Sequence, residues 1–342
     1  MKALAFEEFG GADKLRYRDV RDPKIGPDDV LVRVRACALN HLDLFVRLGI
    51  PSLKTPLPFW TGCDIAGDIA DTGVNVRDVK IGDRVAVNPN LTCGRCEFCV
   101  AGEDSLCDRY GILGEHVHGG LAEYVAVRGT HVLPLPQHVR YEDAASFVLT
   151  NMTAWRMVVT QARVKPGEDV LILGVGGGVS STAVQIAKLC GARVFATSSR
   201  DDKLARAREL GADVLINYAH KDWARAVWEK TGSRGVDVVI ENVGAQTWKS
   251  SLRSLRKGGR LVTCGATTGP IGETDIRIVF WRQLSIIGST MANTREFNDV
   301  MRLFFQGRLS AIVDEVVPLK DGAAAQQRLE AGKQFGKIVL TP

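Results

Sequence analysis

From about residue 153 the chain alternates short apolar runs with amphipathic helical stretches, and no other feature limits its fold so tightly. "DVLILG" reads as a buried strand, and "SSTAVQIAKLCGA" as a helix ending at Gly191. "ARVFATS" is a second strand, and "DDKLARARELGA" a helix with an acidic start and Gly211 at its end. The pair recurs as "DVLINY" with "DWARAVWEKTG", then as "VDVVIENVG" with "TWKSSLRSLRKGG", before "GRLVTCG". Strands separated by single helices at this pace predict a parallel, doubly wound α/β sheet.

The first half has another texture. "DDVLVRVRACAL" and "DRVAVN" alternate or run apolar, with Gly and Pro punctuating them every ten residues or so. After "LSIIGSTM" come one more helical stretch and a last strand, "GKIVLTP". The expected layout is a β-rich domain, residues 1–152 and 288–342, interrupted by an α/β domain at 153–287. With 342 residues, each part can bury its own core. Net charge is +5, and Lys and Arg are interspersed with Asp and Glu. That pattern argues against nucleic-acid and membrane-surface partners, while a cleft for an anionic ligand fits it. "MKALAFEEFGG" lacks a long apolar core, and no window approaches about 18 uncharged apolar residues. A cytoplasmic protein is expected.

"VLILGVGGGVSS" is strand, glycine turn and helix start. Such a turn presents bare backbone N–H groups and a helix N-terminus to a pyrophosphate. Gly174 and Gly176 are in place, but the next motif position is Val179. Gly174-x-x-Gly177-x-x-Ser180 serves equally, with Gly178 in the turn and Ser180 where helix and strand pack closely. Cofactor choice falls at the end of the second strand, where NAD sites place a carboxylate. Here stand Ser198, Ser199 and Arg200, with Lys203 one helical turn on. Hydroxyls and cations suit a 2′-phosphate, so NADP is expected rather than NAD.

Of eight cysteines, four lie in "CGRCEFCVAGEDSLC": Cys93, Cys96, Cys99 and Cys107. Four thiolates close every position of a zinc tetrahedron, so the lobe at about 88–112 is expected to hold one structural zinc per chain.

At this point the chain resembles the medium-chain dehydrogenase/reductase superfamily, the zinc-type alcohol dehydrogenases and their quinone oxidoreductase relatives. The resemblance rests on "ACALNHLD", "TGCDIAGDIADTG", "GDRVAV", the cysteine lobe, "HGGLAEYV", "TAW", the glycine turn and "GKIVL". It implies a GroES-like β domain, a Rossmann-type cofactor domain, a cleft between them, and a homodimer or homotetramer. It also places Thr153, Tyr218, Asn242, Val243, Gly265, Ala266, Gly288, Ser289 and Lys337 among the dinucleotide contacts. The departures matter more. Members with a catalytic zinc carry Cys where this chain has Asn40, Gly-His-Glu where it has Gly62-Cys63-Asp64, and Cys where Leu149 stands. Leu42 replaces the hydroxyl of the proton relay. The resemblance is therefore to the zinc-independent branch. A non-standard metal site could still draw on Cys37, His41, Cys63, Asp64, His116 and His118.

Hydride transfer without a metal needs another group to stabilise charge on the substrate oxygen. Asn40 offers two amide donors at the family's metal position. His41, His116 or His118 could supply a proton, the last two expected side by side on one strand face. Asp43 and Asp64 would orient them, and Trp155 would pack by the nicotinamide or substrate. A small carbonyl, alcohol, enone or quinone substrate follows, with simple primary alcohols poor. The competing expectation is a cofactor-binding protein with vestigial catalysis.

Overall fold

A computed structural model describes every residue except Ser52 and Lys221. The chain forms two compact units, Met1–Leu149 with Asn293–Pro342, and Thr150–Ala292. The sequence reading puts the crossings at 152/153 and 287/288. The helix Leu149–Trp155 takes the chain across at its first residues, and the strand Ser285–Gly288 joins the second unit's sheet. Gly288 and Ser289 therefore stay with the second unit.

A seven-stranded sheet dominates the first unit, built round the long strand β1 (Asp29–Ala38). Val30, Val32 and Val34 alternate into the core while Arg33 and Arg35 face out. At Ala36-Cys37-Ala38 every residue is buried, and small side chains are what such a two-sided position accepts. Helix α1 (His41–Leu48) follows, and Leu42 packs against the core. Strand β2 (Asp64–Thr72) pairs antiparallel with β1, Asp64 opposite Ala38. On its other edge β1 meets the chain's final strand, Lys337–Thr341, with Val339 also opposite Ala38. The cysteine lobe projects from a short ladder, Asn90–Leu91 against Gly111–Ile112.

The second unit is a six-stranded sheet, parallel throughout. Its strands are β3 (Asp169–Ile172), β4 (Arg193–Ser198), β5 (Val214–Asn217), β6 (Val236–Glu241), β7 (Leu255–Thr263) and β8 (Ser285–Gly288). The order β5-β4-β3-β6-β7-β8 reverses direction at β3, the switch point where ligands bind in such sheets. Helix α2 (Gly178–Leu189) leaves β3 through the glycine turn. Among the described residues no helix is long and apolar enough to cross a membrane.

Candidate functional site

Register gathers four polar side chains at one end of the first unit's sheet. Asp64 and Val339 both oppose Ala38, which brings Asn40, Cys63 and Lys337 level with one another. Asn40 donates from Nδ2 to Asp64 Oδ2 at 3.0 Å and to Cys63 Sγ at 3.3 Å. Its Oδ1 accepts from Lys337 Nζ, which also reaches Asp64 Oδ2 at 2.7 Å. The other Asp64 oxygen accepts the N–H of Leu149 at 2.6 Å, and Asp43 accepts the N–H of Asn40 at 2.7 Å. Asn40, Asp43, Cys63, Asp64 and Lys337 are all buried. A buried ion pair persists only when its remaining donors and acceptors are satisfied, which the Asn40 amide and the Leu149 N–H do here.

This arrangement alters two expectations. The sequence reading offers both Asn40 donors to a substrate oxygen, whereas the fold engages them with Asp64 and Cys63. It also assigns Lys337 to the dinucleotide, whereas the ammonium pairs with Asp64 because the final strand ends its ladder beside Asn40.

The histidines separate. His41 opens α1, half-buried, its ring 6.4 Å from Phe45. Burial first, and then the Lys337 ammonium, hold its imidazole below the usual range, so it is neutral near pH 7 and a weak candidate proton donor. His116 and His118 do not share a strand face, because residues 114–116 form a turn. His116 Nδ1 accepts the N–H of Ile112 at 3.1 Å. His118 stacks on Trp60 with ring centroids 3.7 Å apart and planes 6° from parallel, and burial lowers its pKa. Neither makes a hydrogen bond to the Asn40 cluster among the described residues. Burial, and next the nearby carboxylates, push the Cys37 and Cys63 thiols well above their usual range.

The lobe differs in geometry. One ligand atom from each of Cys93, Cys96, Cys99 and Cys107 falls within 4.8 Å of the others. Cys93 and Cys99 sulphurs lie 4.0 Å apart, close to the edge of about 3.8 Å that a tetrahedron of 2.3 Å Zn–S bonds requires. Backbone N–H groups of Arg95 and Cys96 pull the Cys93 thiol down to about 6. Further N–H···S contacts run from Cys93 and Arg109 to Cys107, at 3.2 and 3.3 Å.

In the second unit the glycine turn bends at Gly174, whose φ is +59°, and α2 begins without a side-chain cap. Buried Ser180 donates to the Leu173 carbonyl at 2.6 Å and accepts from Asn242 Nδ2 at 3.0 Å, so a small hydroxyl residue fits there. A Cβ on Gly176 would lie 2.8 Å from Lys203 Nζ, which places that ammonium over the turn. Gly178 and Val179 start the helix. Ser198 ends β4; its Oγ accepts the Arg200 N–H and its carbonyl that of Tyr218. Ser199 is exposed, and the Arg200 guanidinium forks onto Asp202 at 2.9 and 2.6 Å. The Val243 carbonyl accepts the Thr268 N–H at 2.8 Å, and a Cβ on Gly265 would sit 3.4 Å from the Asn242 carbonyl, so the loops after β6 and β7 are zipped together. Ala266 closes its own turn with the Gly269 N–H, and the Ser289 N–H bonds the Thr263 carbonyl. Buried Thr153 contacts the Met291 sulphur at 3.8 Å. Trp155 is half-buried, just before a π-helical turn at Arg156–Gln161.

Residues 26–137 match the family described as alcohol dehydrogenase GroES-like domain, and residues 178–306 the zinc-binding dehydrogenase family. An alcohol dehydrogenase of Geobacillus stearothermophilus is 35% identical over 345 residues, 99% of each chain. The chain is a zinc-type, alcohol dehydrogenase-like member of the medium-chain dehydrogenase/reductase superfamily. A solved NAD-dependent alcohol dehydrogenase superposes with a TM-score of 0.96 at 45% identity, both chains covered in full. A crotonyl-CoA carboxylase/reductase in complex with NADP gives 0.91 at 26% identity, covering 99% of this chain and 94% of that one.

An alcohol dehydrogenase-like chain can be tested for two metal positions. The lobe fits one tetrahedral zinc, with N–H groups supporting the thiolates. The second position does not fit. Leu149 offers no ligand atom, and Asn40 Oδ1 and Asp64 Oδ2 both face the Lys337 ammonium. Among the described residues, the lobe is the one convergent group of three or more His, Cys, Asp or Glu ligands. Sequence reasoning missed the Lys337–Asp64 pair, whose partners lie 273 residues apart with no spacing to signal it. It also passed over Glu241, although a carboxylate closing the apolar run "VDVVIENVG" is a signal in itself.

Proposed function

We propose that this enzyme reduces conjugated or activated carbonyl compounds (quinones, enones, aromatic ketones and aldehydes) with NADPH, and uses no zinc at the reacting centre. The observation that carries the reading is the Lys337 ammonium, bonded to Asn40 and Asp64 among the side chains at the family's metal-ligand positions. The bound dinucleotide would supply the hydride. Lys337 contributes a fixed positive charge, Asn40 and Asp64 orient it, and the His41 imidazole stands beside it as a neutral hydrogen-bonding group. One ammonium stabilises developing oxygen charge less than a dication does. An enone spreads that charge along its conjugated system and asks for less. A crotonyl-CoA carboxylase/reductase among the solved relatives supports this substrate class, crotonyl-CoA being a conjugated thioester.

Ser198 supports NADPH, since no carboxylate ends β4 to repel a 2′-phosphate, and Lys203 adds a cation over the turn. For Arg200 to meet that phosphate it must exchange Asp202 for it. The reading includes a homo-oligomer held through the second unit. There the edge strand β8 and the helix Ile276–Arg282, with Phe280 and Trp281 exposed, form an apolar face suited to a second copy.

A single set of measurements tests it: metal content, and turnover of a quinone, enone, ketone and ethanol panel with NADPH and NADH. The expected result is about one zinc per chain, turnover of conjugated carbonyls, a lower KM for NADPH and negligible ethanol oxidation. The relatives named alcohol dehydrogenase favour a second reading, a zinc-dependent dehydrogenase with a non-standard site. Two zincs per chain with ethanol turnover would establish that one. Tight NADPH binding with no turnover of any substrate would mark a cofactor-binding protein instead.

A further inference from the structure

Glu241, the last residue of β6, is fully buried, and its carboxylate is held by neutral donors on every side. Oε1 accepts the N–H groups of Val243 at 2.7 Å and Gly244 at 3.1 Å. The Thr247 hydroxyl reaches both oxygens, at 3.0 and 2.9 Å, and the Ser251 hydroxyl reaches Oε2 at 2.6 Å. Consecutive backbone N–H groups that converge in this way form an anion nest, and the chain fills this one with its own side chain. Gly244 permits it, with φ at +93° and a backbone so close to Ala266 and Gly269 that any Cβ would collide.

Burying a carboxylate costs several kcal/mol unless it is fully bonded, so a strand end needs a reason to keep one. The reason lies in what the nest shapes. Asn242, the residue after Glu241, bonds Ser180, which in turn bonds the end of β3. The Glu241 and Val243 carbonyls take the N–H groups of Cys264 and Thr268 from the loop after β7. Glu241 thus locks the loops after β3, β6 and β7 into one platform.

Sheet order says which part of the cofactor that platform meets. The end of β4 lies on one side of β3 and reads the adenosine ribose, while the glycine turn after β3 takes the pyrophosphate. The rest of the dinucleotide must extend the other way, over β6 and β7. We propose that Glu241 is a positioning residue for the nicotinamide half, acting through the Asn242–Gly244 turn without touching the cofactor. This rests on the dinucleotide reading above.

The test compares the wild type, Glu241→Ala and Glu241→Gln as full-length, zinc-loaded protein, titrated with NADPH and separately with 2′,5′-ADP (or NADH and 5′-AMP, should NADH be preferred). Loss of the nest should weaken NADPH about tenfold or more in E241A. Binding of 2′,5′-ADP should stay within about twofold, because the β4 end is undisturbed. E241Q should largely rescue NADPH affinity, since its carbonyl still accepts both N–H groups and the two hydroxyls can reverse. A general loss of folding would weaken both ligands together, and that result, or unchanged NADPH affinity in E241A, overturns the inference. Should E241A fail to fold, Thr247→Val and Ser251→Ala must show the same split in smaller degree, and its absence there overturns it too. A wild type that binds neither ligand sinks the dinucleotide reading along with this inference, whereas an unshifted E241A sinks the inference alone.

Discussion

The first unit contains two thiol-bearing sites that differ in how many sulphurs meet. In the lobe, four sulphurs converge on one point; backbone N–H groups take Cys93 down to about 6, while burial takes Cys99 up to about 12. At the strand ends, Cys37 and Cys63 are sealed from water beside carboxylates, and their thiols are pushed far up. The thiolate is what binds metal, so cysteine identity decides little until its environment is known. The largest expected effect follows. Changing the four lobe cysteines to Ser should take zinc from one per chain to none. With the metal goes binding free energy on the order of 10 kcal/mol, and residues 93–107 should become open to protease. Cys37→Ser with Cys63→Ser should leave one zinc in place. Metal analysis of both variants decides it, and loss of zinc from the second pair would erase the contrast.

At the strand ends the charge comes from Lys337, and there the expected effect is smaller but more telling. Lys337→Met strands the Asp64 carboxylate in a site with almost no solvent access, at a cost of about 3–5 kcal/mol in unfolding free energy. Adding Asp64→Asn should restore most of that stability, because the Leu149 N–H keeps an acceptor. Turnover should stay low in both variants. Denaturant titration and kcat on a quinone separate the two effects, and a double variant with wild-type kcat would show that the ammonium has no part in the reaction.

The repeated strand–helix pattern and the lobe spacing were legible in the sequence because both are local. Three- and eight-residue spacings already bring sulphurs together, and each apolar run already marks a buried strand. What escaped was set by register. Asn40, Asp64 and Lys337 meet only because Ala38 is opposed by Asp64 on one edge and Val339 on the other. Nothing within a ten-residue window could announce this, so Asn40 looked like a free donor and the Lys337–Asp64 pair went unread. His116 and His118 failed differently. An i, i+2 pair shares a face only in an extended strand, and the turn at 114–116 breaks it.

A third ion cluster, in the second unit, shows how far solvent access governs these costs. Asp237 is buried on β6 and bonded by Arg234 and Arg256, with the Asp169 N–H as a further donor at 2.9 Å. Burial alone would raise its carboxyl, but the two arginines override that and bring it to about 2 from an ordinary 3.8; the Asp169 carboxyl, itself paired with Arg193 and Arg234, also acts on it. A carboxyl held below its unfolded value stabilises the fold above about pH 4, and that contribution is lost as pH falls from there toward 2. Asp237→Asn should therefore lower unfolding free energy at pH 7 by about 2 kcal/mol and flatten its decline between pH 4 and 2. The loss is smaller than at Lys337 because the side chains left behind differ. Arg234 and Arg256 keep 49% and 30% of their surface in solvent and can be rehydrated, whereas Asp64 keeps none. Equal losses for D237N and K337M, read by urea titration at pH 7, would mean that burial of the stranded partner is not what sets the size of the effect.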